Sequence, residues 1–81
     1  MKWCWEAYDR AGVRRIADTL TDPWADTPEG AAELGMAHLM VKVRPKFRRL
    51  RGWRVRAWDD LVGEAWVDAD EWLHARAAAD R

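Results

Sequence analysis

Polar and apolar positions alternate strictly over residues 2–9, KWCWEAYD: Trp3, Trp5 and Ala7 fall on one side, Cys4, Glu6 and Tyr8 on the other. A period of two with aromatic enrichment predicts a strand with one face in a core. Asp9-Arg10-Ala11-Gly12 predicts a turn, with glycine free to take a positive φ, and Val13 to Thr19 return as a second strand. The stretch LTDPWADT at 20–27 is punctuated by Pro and Asp and predicts a loop. Thr27 followed by Pro28 predicts a helix start. The hydroxyl caps the first turn, and proline sits where its missing N–H costs nothing. Glu29 and Glu33 complement the positive end of the helix dipole. The helix should run to about Val43, because Pro45 disfavours helical geometry at Arg44.

The second half repeats the pattern. In WRVRAWD at 53–59, Trp53, Val55 and Ala57 alternate with Arg54, Arg56 and Trp58. Asp60-Leu61-Val62-Gly63 predicts a turn, and Glu64 to Val67 a return strand. Asp68 with acidic Glu71 three residues later is a variant of the capping box, opening a helix from about Ala69 to Ala79. Trp3, Ala7, Tyr8, Asp9 and Gly12 align with Trp53, Ala57, Trp58, Asp59 and Gly63, with the spacing to glycine differing by one residue. The match is either an internal repeat or hairpin chemistry common to both halves. The expected fold is α+β: a four-stranded antiparallel sheet with two helices packed on one face, in the order ββαββα, over a single domain, 1–81.

The first helix is apolar on two sides. Ala32, Met36, Leu39, Met40 and Val43 form the stripe expected to face the sheet. Leu34, Ala37 and Val41 form a narrower one nearly opposite, a possible dimer face. Its cover is either the chain's own 44–52 segment or another copy of the chain.

Composition narrows the chemistry. In 81 residues only one core fits, and its material is aromatic, with seven tryptophans. Ser, Asn and Gln are absent, and the hydroxyls are Thr19, Thr21, Thr27 and Tyr8. Serine nucleophiles are therefore excluded, as is amide readout of adenine. Cys4 is the single cysteine, so no internal disulfide forms, and beside Trp3 and Trp5 it is expected as a small buried apolar group. No apolar run approaches the roughly 18 residues of a membrane span and no signal-peptide pattern opens the chain, so a cytoplasmic protein is expected. His38 and His74 lack ligand spacing to Cys4 or to carboxylates, so no metal is expected. Turn and capping roles account for Asp59, Asp60, Asp68 and Glu71. No phosphate-cradling glycine loop is present. Neither a catalytic site nor a cofactor is expected.

Charge is what changes this picture. The formal net charge is zero, yet Lys42, Arg44, Lys46, Arg48, Arg49, Arg51, Arg54 and Arg56 follow one another with no acidic residue between. Acidic residues gather at 18–33 and 59–71. Guanidinium forks match phosphate or carboxylate oxygens in pairs. Phe47, Trp53 and Trp58 lie in or beside the segment, so base stacking is available. If Trp53 points at the helices, Arg54, Arg56 and Trp58 decorate the open face of the sheet. The segment either meets a polyanion outside the molecule or pairs with the chain's own acidic blocks. In the last helix, Arg76 falls on the apolar arc between Ala69, Trp72 and Leu73, where its stem covers the core with its head free, or its head pairs with a buried acid or meets Trp72.

Trp3, Asp9, Gly12, Arg14 and Arg15 give the first 43 residues an outline that resembles the N-terminal arm-binding domain of tyrosine recombinases: a Trp-containing strand, an Asp-x-x-Gly turn, a basic return strand and a helix. The acidic 20–27 loop and the lack of a third strand before the helix depart from that pattern, so no function is carried over. In size and sorted charge the chain is similar to phage or mobile-element regulators and inhibitors, including anti-CRISPR proteins. The expectation is a non-catalytic protein that docks on a nucleic acid or nucleoprotein complex through residues 42–56, with Trp58 adjoining. The alternative is a protein–protein module, a homodimer through Leu34, Ala37 and Val41, without nucleic-acid contact.

Overall fold

Alternation in the first residues produces strand β1 (Lys2–Tyr8), which buries Trp3, Trp5 and Ala7 on one face. The computed structural model describes residues 2–21, 25–43 and 50–79. The other elements are β2 (Arg14–Thr21), α1 (Pro28–Val43), β3 (Arg54–Asp59), β4 (Gly63–Asp68) and α2 (Ala69–Ala79). The four strands form one antiparallel sheet in the order β2-β1-β3-β4, giving the ββαββα fold that the sequence implies.

Several strand boundaries shift by a residue or two from the pattern, and two of the shifts have a visible cause. Leu20 and Thr21 belong to β2 and not to the loop: Leu20 pairs with Trp3 and is buried with it. Trp53 precedes β3, because its N–H turns back into the preceding turn and Ala69 opposite it already opens α2. Its N–H donates to the Leu50 carbonyl and its carbonyl accepts from Ala69 N–H, each at 2.9 Å. That second bond ties the start of β3 to the start of α2.

The core lies between the sheet and α1. Trp3 and Trp5 are almost fully buried, each removing about 150–250 Å² from water, or about 4–6 kcal/mol before entropy is counted. Trp3 Nε1–H donates to the Ala25 carbonyl at 2.8 Å, so its polar atom is satisfied inside. From α1 come Ala31, Ala32, Met36, Leu39 and Met40, the expected stripe; the Val43 side chain lies outside the described residues. Thr27 caps the helix, its Oγ1 accepting from Gly30 N–H at 3.1 Å. Gly35 lets the helix approach closely, since a Cβ there would lie 3.0 Å from Val55 Cγ1 and 3.3 Å from the Trp5 ring.

Helix α1 covers β3, β4 and β1, whereas α2 abuts β4 and reaches the core through Ala69, Trp72 and Leu73. Arg76 lays its guanidinium over the Trp72 ring at 4.6 Å, the cation–π placement among those its position allowed. The extents are 33 × 31 × 17 Å, and the shortest holds one helix layer on one sheet face. Among the described residues, no helix or strand covers the opposite face.

The aligned halves occupy equivalent places. β1 pairs with β3 so that Cys4 faces Trp58, Tyr8 faces Arg54, and Glu6 faces Arg56 midway between them. Placing Trp3 on Trp53 also places Glu6 on Arg56, so a two-fold axis perpendicular to the sheet passes between those two residues. Each hairpin turns on an aspartate. Asp9 Oδ1 accepts from Ala11 and Val13 N–H, Asp59 Oδ1 from Leu61 and Val62 N–H, and Gly12 and Gly63 follow at positive φ.

Candidate functional site

Pleating sends Cys4, Glu6 and Tyr8 of β1 to the open face, with Arg54, Arg56 and Trp58 of β3 and Glu64 and Trp66 of β4 alongside. At the centre stands Glu6, a carboxylate only 7% exposed on an otherwise open surface. It accepts a hydrogen bond from the Tyr8 hydroxyl at 2.6 Å and one from Arg14 Nη1 at 2.8 Å, and Arg56 Nη1 lies 3.5 Å away. These contacts, the Tyr8 hydroxyl and Arg14 foremost, hold the Glu6 carboxyl below its usual range against the opposing effect of burial. The same bond pushes the Tyr8 phenol up, because its loss would leave two anions together. Both shifts lead away from neutrality, opposite to what general acid–base chemistry requires. The cluster is a neutralised joint.

Around the joint, arginine and tryptophan alternate. The Arg56 guanidinium lies over Trp58 at 4.3 Å and also pairs with Glu64, its Nε donating at 2.5 Å. The Arg54 guanidinium lies over Trp66 at 5.3 Å, and the Tyr8 ring is 5.4 Å from Trp66. Trp66 is 46% exposed, an unusually open position for so large a ring.

A second feature joins this face at the β1–β2 turn. Gly52 packs so tightly on Arg10 that a Cβ there would lie 2.8 Å from Arg10 Cγ. Gly52 N–H is held from the other side by Asp70 Oδ2 at 3.3 Å. The last residues of the basic segment therefore rest against the first hairpin. Exposed Arg10, Arg14, Arg51 and Arg54 come to one end of the sheet from two distant parts of the sequence. Arg15 beside them is paired with Asp9 at 2.7 Å, which keeps the Asp9 carboxyl below its usual range.

Of the residues singled out in the sequence, Arg44, Lys46, Arg48 and Arg49, with Phe47, lie outside the described residues. Lys42 is exposed at the end of α1, and Arg51 is exposed before β3. Among the described residues no carboxylate forms an ion pair with Lys42, Arg51 or Arg54. Arg56 is the exception, neutralised by Glu64 and Glu6. Trp58 is half-buried beneath it. Cys4 is a correction: it points away from Trp3 and Trp5 and is half-buried on the open face, because alternation carries it to the other side. His38 stacks on Trp5 at a centroid distance of 6.4 Å. Leu34, Ala37 and Val41 do share a surface, lining with His38 a shallow, wide-open depression of about 160 Å³, and Val41 is 74% exposed. Among the described residues, no group of three or more His, Cys, Asp or Glu could hold a metal ion, and no helix is long and apolar enough to cross a membrane.

No protein-family model matches the chain, and neither a curated protein nor a solved structure does. Reading the sequence missed Glu6, Trp66 and Arg10. Placing Trp3 on Trp53 carried a signal for Glu6, because it sets that residue against Arg56. Nothing local marked Arg10, whose neighbour Gly52 is forty-two positions away.

Proposed function

We propose that this chain is a non-catalytic binding protein that docks on a nucleic acid or nucleoprotein complex. The docking residues are Lys42, Arg44, Lys46, Arg48, Arg49, Arg51 and Arg54, together with the adjoining open face. The observation that carries the reading is the exposure of Arg51, Arg54 and Lys42 without a carboxylate partner among the described residues, although the chain holds as many acids as bases. Such guanidinium groups are paired by phosphate oxygens at little conformational cost. Arg56 acts indirectly, steadying Trp58. A small phage or mobile-element inhibitor of a host nucleic-acid-handling system, anti-CRISPR-like in size, fits this description.

A gel-shift series with DNA and RNA at rising salt tests it. Binding through phosphates should weaken steeply, with a log–log slope near −0.9 per contact on duplex and about −0.7 on single strands. Absence of a shift with either polymer at low salt rejects direct nucleic-acid docking.

A second reading is favoured by one observation, the exposure of Val41 above the depression that Leu34, Ala37 and His38 line. On that reading the chain is a homodimer through α1, and the basic segment makes no nucleic-acid contact.

A further inference from the structure

The open face offers more than charge. Two aromatic rings, Tyr8 of β1 and Trp66 of β4, stand 5.4 Å apart across β3 on the open face, one half-buried and the other nearly half exposed. Arg54 reaches over Trp66, and its Cα neighbour across the ladder is Tyr8. Exposed Arg10 and Arg51 flank the same end of the sheet, brought there by the contact between Gly52 and Arg10. A duplex buries its base faces in its own stack and shows a protein only phosphates and groove edges. Exposed aromatic planes are of no use to it on a flat face. A single strand has splayed bases with free π-faces, each worth about 1–3 kcal/mol on an aromatic ring, with backbone phosphates alongside for arginine.

From this juxtaposition we infer that the ligand is a single-stranded nucleic acid, a base stacking on Trp66 beside Tyr8 and the backbone following Arg54, Arg51 and Arg10. The inference rests on the polyanion reading above and makes it specific. Bidentate amide readout of adenine is not built in, because the chain has neither Asn nor Gln. Trp58 is a weaker platform because it is half-buried where Trp66 is 46% exposed.

The test is fluorescence anisotropy of the full chain with labelled mixed-sequence oligonucleotides of roughly 12 bases, a length within known single-strand site sizes. DNA and RNA single strands and the matching DNA duplex are compared at low salt. The single strands should bind at least about tenfold more tightly than the duplex. Trp66→Ala should weaken single-strand binding by about 5- to 150-fold, the range expected for one stacked base, and Trp66→Phe should restore part of it. Arg10→Ala should leave stacking intact and reduce the salt slope by about one. Circular dichroism verifies that each variant is folded. Duplex bound as tightly as single strand, or single-strand affinity indifferent to a folded Trp66→Ala chain, overturns this inference and leaves the polyanion reading standing. Failure of both polymers to bind overturns this inference together with direct nucleic-acid docking.

Discussion

Replacing Glu6 with Gln would leave Arg14 and Arg56 on either side of β1 without the anion that joins them. Hydrogen bonds to a charged group are worth about 1.5–3 kcal/mol, so Glu6→Gln should lower stability by about that amount in urea denaturation at pH 7. The pH dependence has a definite sign. A carboxyl held below its unfolded value of 4.5 contributes stability above that pH and loses it as pH falls through the folded value. Asp9, lowered from 3.8 chiefly by Arg15, adds to the same acid limb. Wild-type protein should therefore destabilise below about pH 4.5, and Glu6→Gln should flatten the start of that decline. Tyr8 behaves oppositely. Its phenol is raised from 10.0, so its contribution is complete below pH 10 and disappears as pH climbs through the folded value. A denaturation midpoint of Glu6→Gln equal to wild type at pH 7 would deny the carboxylate its structural part.

At the level of elements, helix α2 depends on its first turn. Asp68 Oδ1 accepts from Asp70 N–H at 2.9 Å and from Glu71 N–H at 3.1 Å. The helix has few core contacts beyond Ala69, Trp72 and Leu73, so packing compensates little for a lost cap. Asp68→Ala should cost about 1 kcal/mol of stability and reduce helical ellipticity at 222 nm. An unchanged melt would mean that the bond between Ala69 and Trp53 suffices to start the helix. The same cap explains why the start of α2 was legible in the sequence. Caps, turns and alternation are local, and they located every element. Pairing between distant segments is not local. Leu20 joined β2 because Trp3 lies opposite, Arg56 lost its freedom to Glu64 on β4, and Arg10 met Gly52 only after the sheet had assembled. On the candidate face, residue types and sidedness were readable, but which arginines would be neutralised was not.

For the molecule as a whole, coverage is uneven. Helix α1 protects β3 and β4, while β2 is exposed along most of its length. Whether a second molecule covers α1 is decided by mass. Light scattering after size exclusion should return twice the single-chain mass if Leu34, Ala37 and Val41 meet their counterparts, and Val41→Asp should halve it. A single-chain mass for the unsubstituted protein rejects the homodimer and leaves the sheet face as the candidate for binding. The axis between Glu6 and Arg56 has a consequence of its own. Were the two hairpins separate and identical polypeptides, whichever residue stood on that axis would confront its own copy, acid against acid or base against base. Joining both units in one polypeptide frees the two positions to differ, and the midpoint of the sheet becomes attractive where identity would have made it repulsive.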